Sequence, residues 1–515
     1  MQDTHSPKAL RAERATAGLE ARVVQRVCDK GYSLTLQKGR GFSLLVALII
    51  ASYSVMAYAM RDAIVDDAYI YLQVAKNLSM GSGWSFNAEE IVNPCTGPLY
   101  VLFLSALLTI GFSGKTALLI SMAVPWALGS LLLYTFFRKA SHIFAAASIV
   151  VFMLPMLSTC GMETAWFYTG LLTAIWCYLE KRHIGLGFIL GLLPLIRPDG
   201  ILMLPLLLLF STIRRDPPTR WPTSLVLAAL ILTSWGSVSY LLFDSFVPNS
   251  VLVKMNQGQI SWASISYFQN FLEQSPLPIL AFLMCTYGLF RACIRGADSS
   301  LTPLVLLAAF GLTQLLVYSA LGAPSGYWWY QTPSLIGLNL LAALGVVDFY
   351  LAVKARLLRS NLPPSARYEP LIYSLILGTF TGVFVSVFAF NSSKFISFKY
   401  RLADEYLQIS HWLRENAPAH SRVAAVEIGY IGFYSERKIL DIHGLIHPEF
   451  RNEVKDSEYW WLKRDLPEFV VVHSPPWRGE PSGVWPIAMQ ETFKKNYHAV
   501  LRIKEISLFR RSLPI

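Results

Sequence analysis

Charged side chains are scarce in this 515-residue chain. They make up 15% of it, against roughly 25% in a soluble globular protein. With 54% hydrophobic residues and a mean hydropathy of +0.43, that shortage excludes an ordinary soluble domain. The six cysteines include no C-x-x-C pair, so a cysteine metal site has no support. A G-x-x-x-x-G-K-[S/T] phosphate loop is missing, which leaves nucleotide-driven chemistry unsupported. The first forty residues lack the short apolar core and small-residue cleavage site of a signal peptide. Internal repeats, low-complexity linkers and the short alternating segments of a β-barrel are absent as well.

Long apolar runs are what the chain does have. They recur from Phe42 to Phe390 at lengths near the roughly 20 residues that cross a bilayer. The pattern predicts a polytopic α-helical membrane protein with about eleven spans. Charge density divides the chain: 33 of the last 125 residues are charged, against 44 of the first 390. This suggests a basic cytoplasmic tail over 1–41, a membrane module over 42–390 with an outer loop at 61–115, and a C-terminal α/β domain over 391–515. Strands are expected at Arg422–Glu427, Lys438–Ile442, Phe469–His473, Ala499–Lys504 and Ile506–Arg511, with a helix over Asp404–Asn416.

The net charge of +11 fits loops on the cytoplasmic side and calls for no nucleic acid. Span 1 is Phe42–Met60, and later spans fall at about 116–137, 142–158, 164–180, 184–196, 200–212, 222–243, 277–293, 301–321, 333–353 and 370–390. Gly97–Phe112 reads best as an amphipathic helix in the outer interface, because every basic cluster then lies inside. The two short pieces around Arg197-Pro198-Asp199-Gly200 look like a pair that turns before the outer surface. In this topology Cys95 and Cys160 both face outward, either as two thiols or as a disulfide.

Asp66-Asp67 stands just outside span 1. Two adjacent carboxylates repel and resist desolvation, so they invite a functional reading: one as a general base, the other orienting an acceptor or holding a divalent cation. The structural reading is a helix N-terminal cap before Ala68–Leu78. Other unusual polar residues collect on the same outer side.

The order DDAYIYLQVAKNL, GSGWSFN, TGPL resembles the first outer loop of GT-C glycosyltransferases, in particular the branch typified by the mycobacterial terminal arabinofuranosyltransferase. Gly161-Met162-Glu163-Thr164 resembles that branch's GLET, and Arg197-Pro198-Asp199-Gly200 its RPEG. Val247-Pro248-Asn249-Ser250 with Lys254 resembles LPN(T/S)xxxxK. Glu427–Ser435 with Asp441 resembles a GxIGYYS…D pattern, and Tyr327-Trp328-Trp329-Tyr330 replaces a commoner Arg-Tyr. The likeness runs over roughly residues 42–510.

The resemblance implies an inverting transfer of a sugar from a polyprenyl-phosphate donor to a glycan, lipid or protein acceptor, with a pentofuranose such as arabinose as one candidate sugar. It implies Asp66 as the base, with Asp67 beside it. Arg197 and Lys254 would hold the leaving phosphate. Glu163, Asp199, Asn249, Tyr327 and Trp328 would bind substrate. Structural readings stand beside these: Arg197 paired with Asp199 or Glu163, Glu163 as a cap, Asn249 as a turn residue, Lys254 snorkelling and the aromatic run as an interfacial belt. His443 and His447 lack a third ligand and read as surface or packing residues. No cofactor is certain, and a divalent cation stays open. The expected place is the bacterial inner membrane, with a periplasmic C-terminal domain. The rivals are a secondary transporter and a non-catalytic membrane scaffold.

Overall fold

A computed structural model describes residues 64–88, 90–214, 221–256, 285–291, 299–321, 328–330, 332–359, 402–447, 460–464 and 466–512, with scattered positions between 46 and 62. Helix α1 (Asp66–Ser79) carries both aspartates in its first turn and Lys76 in its last, which complements the helix dipole. Helix α2 (Pro98–Thr109) starts with proline at its first position and has twelve residues. That is about 18 Å, well short of a bilayer core of about 30 Å.

Helix α3 (Gly114–Phe137) is capped by Ser113, whose hydroxyl accepts from the Thr116 N–H. Helices α4 (His142–Ser158), α5 (Thr164–Leu179) and α6 (His183–Ile196) follow. Arg197 then takes an extended conformation (φ −149°, ψ 137°), as a residue before proline tends to, and breaks the run. A 3₁₀ turn over Pro198–Leu202 leads into α7 (Met203–Ile213). The short pair with a polar turn is therefore present where the sequence suggests it.

Helices α8 (Trp221–Phe243), α9 (Asn249–Asn256), α10 (Thr302–Leu321) and α11 (Thr332–Arg359) complete the described part of the helical module. Among the described residues, four helical stretches are long and apolar enough to cross a membrane: Gly114–Phe137, Trp221–Phe243, Thr302–Leu321 and Thr332–Ala352. The expected total of about eleven spans extends into residues outside this set. The 1–41 tail and the 370–390 span lie outside it entirely. Cys95 and Cys160 are both buried, and both are free thiols.

After helix α12 (402–416) the chain forms a five-stranded sheet. Its strands are β1 (Arg422–Ala425), β2 (Lys438–Asp441), β3 (Phe469–His473), β4 (Tyr497–Ile503) and β5 (Ile506–Arg511), in the order β2-β1-β3-β5-β4. β1 runs parallel to β2 and β3, and β5 is antiparallel to β3 and β4. The fully buried strand Phe469–His473 reads as a continuous apolar run for that reason. Two expected boundaries move. β1 ends at Ala425, which leaves Glu427 in the connection to helix α13 (Gly429–Ser435), and β4 begins at Tyr497, two residues early. Within this sheet domain β2 is an edge strand, and its free side meets Asn87 in the connection between α1 and α2.

Candidate functional site

A cavity of about 270 Å³ opens where the helical module meets the sheet domain. α1 contributes Asp67, Ile70 and Tyr71, and the segment before α2 contributes Pro94, Cys95 and Thr96. Met162 and Glu163 come from the turn before α5, Arg197–Asp199 from the break after α6, and Ser250 and Val251 from the start of α9. Tyr318, Leu321, Trp329 and Tyr330 close the apolar side, and Leu445 reaches in from the sheet domain.

The two aspartates part company here. Adjacent helical residues leave the axis about 100° apart, so the two side chains have different neighbours, although one oxygen of each lies within 4.8 Å of the other. Asp66 is 2% exposed, and its two oxygens accept the N–H groups of Gly429 (2.9 Å) and Tyr430 (2.8 Å). These are the first donors of α13, so Asp66 caps a helix that lies 363 residues further along the chain. Gly429 is required for that approach, because a Cβ there would overlap the Asp66 carbonyl. Neither aspartate caps α1 through its side chain; the N-cap is Val65. Of the pair, Asp67 lines the cavity. Asp66, expected as the base, here accepts two backbone donors.

More contacts tie the domains along the same seam. The Asn87 amide donates to the Ile439 carbonyl and its carbonyl accepts the Ile439 N–H, both at 2.9 Å, which completes the edge of β2. The Tyr430 hydroxyl donates to the Ile64 carbonyl (2.7 Å), and the Tyr69 and Tyr434 hydroxyls meet at 3.0 Å. Asn249 uses its amide in the same way, donating to the carbonyls of Leu445 (2.7 Å) and Gly444 (3.3 Å). Expected to bind a sugar hydroxyl, this amide instead holds a loop of the sheet domain. That loop is pinned at its other end by Asp441, whose oxygens accept the N–H groups of His443 (2.8 Å) and Leu445 (2.6 Å). Burial pushes the Asp441 carboxyl up to about 7, although its backbone donors pull it down. The His447 ring accepts from the Asp441 N–H, a packing role.

Arg197 is 3% exposed and its guanidinium is shared. Nε and Nη2 donate to Asp199 at 3.1 and 3.3 Å, Nη1 donates to the Trp329 carbonyl at 3.4 Å, and Glu163 Oε1 lies 3.6 Å away. A fork that faces two carboxylates is a structural ion pair first, and its charge is largely compensated. Glu163 occupies the N-cap position of α5 without a side-chain cap bond, and its Oε2 is buried with no hydrogen-bond partner among the described residues. The turn that presents it needs Gly161, which has φ +87° and packs on Ala68. Lys254 is placed in α9 and Trp328 in the 3₁₀ turn Trp328–Tyr330, while Tyr327 lies outside the described residues.

The sheet domain also brings Glu427 to the aspartates. Asp66, Asp67 and Glu427 each offer an oxygen, all within 4.8 Å of one another. Hard carboxylate oxygens suit Mg²⁺ or Ca²⁺, but Asp66 already serves two backbone donors, so this set fits a cation only in part. Ser250 stood in the quoted motif without a role of its own, and Leu445 escaped the sequence reading. Ser250 had a signal in its position next to Asn249, whereas nothing in the pattern around Leu445 marks it.

Residues 396–512 match the model of a domain of unknown function, DUF8728. No curated protein matches the chain. The structure is similar to that of ArnT from Cupriavidus metallidurans bound to undecaprenyl phosphate, with a TM-score of 0.55, 14% identity and coverage of 92% of this chain and 98% of that one. It is also similar to the apo oligosaccharyltransferase of Archaeoglobus fulgidus, with a TM-score of 0.50, 11% identity and coverage of 88% and 73%. The mycobacterial arabinofuranosyltransferase AftD gives 0.45 at 13% identity over 91% of this chain and 40% of that one. Likeness at such identity carries the fold alone: this is a membrane protein with the GT-C fold and a small C-terminal α/β domain.

Proposed function

We propose that the chain is an inverting glycosyltransferase that moves a sugar from a polyprenyl-phosphate donor to a glycan, lipid or protein acceptor. The observation that carries this reading is Asp67, one carboxylate in the wall of a cavity that also presents the unpartnered Glu163 Oε2. The fold similarity to a protein bound to undecaprenyl phosphate supports a lipid-linked donor.

In this reading Asp67 takes the proton of the acceptor hydroxyl as its oxygen attacks the anomeric carbon. The carbon–oxygen bond to phosphate breaks on the opposite face, the configuration inverts, and polyprenyl phosphate leaves. Glu163 and Asp199 accept hydrogen bonds from sugar hydroxyls, while Arg197 holds those two carboxylates in place. Tyr330 and Trp329 offer ring faces to the sugar. Lys254, in α9, is our candidate for the leaving phosphate. A pentofuranose donor sugar and a periplasmic site on a bacterial inner membrane belong to the same proposal.

The experiment is transfer in membranes from cells that carry the wild type or Asp67→Asn at matched expression, with glycans and lipids read by mass spectrometry. A sugar present with wild type and lost in the variant supports the reading. Identical profiles, including in a full deletion, would overturn it.

A further inference from the structure

The cavity wall includes one residue of the sheet domain, Leu445, among the described residues. Its position is over-determined: its N–H bonds Asp441 and its carbonyl bonds Asn249. The neighbour of Asn249 is Ser250, which lines the same cavity, is 5% exposed and has a hydroxyl oxygen with no hydrogen-bond partner among the described residues. A second orphan, Asn93, immediately precedes Pro94 of the cavity wall. Asn93 is 2% exposed and neither polar atom of its amide is bonded, while its backbone carbonyl accepts the Asn249 N–H at 2.8 Å. Buried polar atoms are rarely left unmet in a folded chain, so orphans that border a cavity mark where a polar ligand sits.

Direction follows from the donor's chemistry. Its polyprenyl chain stays in the bilayer, so the donor sugar arrives from the membrane-spanning helices. The wall where Asn249 of α9 latches the sheet domain is left for the acceptor.

We propose that Ser250 and Leu445, set on either side of the Asn249 latch, form the acceptor-selecting wall of the cavity. Ser250 Oγ bonds a hydroxyl of a saccharide acceptor, and Leu445 limits the acceptor's size. Both are positioning and specificity residues, and neither touches the transferred proton. The inference rests on the glycosyltransferase reading and names the side from which the acceptor enters.

The test uses the full chain in detergent, decaprenyl phosphate carrying a ¹⁴C-labelled pentose or hexose as donor, and octyl mono- and disaccharides as acceptors. Leu445→Ala should raise the disaccharide-to-monosaccharide ratio of kcat/KM by about tenfold, the scale of a few methylene groups in a specificity pocket. Leu445→Trp should lower the same ratio. Ser250→Ala should raise acceptor KM by about tenfold more than donor KM. Size-exclusion elution confirms folding, and if the tryptophan variant fails there, the two alanine variants decide. A ratio that stays within twofold of wild type, or a donor KM that moves as far as the acceptor KM, overturns the wall alone. Wild type that transfers label to no acceptor overturns the glycosyltransferase reading and the wall with it.

Discussion

The seam between the two domains and the cavity beside it are built from the same residue types, a few ångströms apart, yet they differ in one respect. Along the seam the polar groups meet partners: Asp66 has the N–H groups of Gly429 and Tyr430, Asn87 both backbone groups of Ile439, and Asn249 the carbonyls of the 444–447 loop. In and beside the cavity several are left over: Glu163 Oε2, Ser250 Oγ and the whole Asn93 amide. Satisfied groups rigidify a structure, while unsatisfied ones wait for something to bind. The DD pair reaches both regions: Asp66 holds the start of α13 on the seam, and Asp67 lines the cavity.

That contrast can be broken by substitution, and the largest effect should come from the cavity side. Asp67→Asn should lower sugar transfer by about 10²- to 10⁴-fold, the range of a lost general base, with no change in melting temperature in detergent. Next in size is Gly429→Ala. Its methyl group overlaps the Asp66 backbone, and a shift there should cost about 1–3 kcal/mol, seen as a lower melting temperature and a sheet domain open to protease.

Asn87→Ala should follow at about 1–3 kcal/mol in stability, because it strands the N–H and carbonyl of Ile439. The smallest effect belongs to Lys76→Ala. Its bond to Glu436 at 3.3 Å joins two partly exposed side chains, so thermal unfolding should move by less than about 1 kcal/mol. A Lys76 effect as large as that of Asn87 would mean that the seam is held by surface charge instead of buried hydrogen bonds.

Much of the architecture was legible beforehand, because it depends on local pattern. Apolar runs marked the helices, and Pro198 after Arg197 marked the break between α6 and α7. Alternation and turn residues placed β2, β3 and β5 within a residue of their observed ends. The helix at Pro98–Thr109 was recognisable from the apolar run Gly97–Phe112. Roles that depend on distant contacts were not legible. Which aspartate faces the cavity is decided by Gly429 and Tyr430, more than 360 residues away. The Asn249 amide is turned by carbonyls some 195 positions further on, and Leu445 reaches the cavity only because Asp441 and Asn249 hold its loop. The pairing of Arg197 with Asp199 or Glu163 stood in the sequence reading as its structural alternative, and the packing of α5 against the turn after α6 brings both carboxylates to it.

The most direct test sets the two neighbours side by side: Asp66→Asn and Asp67→Asn, each read by sugar transfer per folded molecule and by melting temperature. We expect Asp67→Asn to keep its melting temperature and lose transfer, and Asp66→Asn to melt earlier, because an amide can accept only one of the two N–H groups at the start of α13. The opposite pattern, with Asp66→Asn stable but inactive and Asp67→Asn active, would contradict the assignment of the base to the cavity.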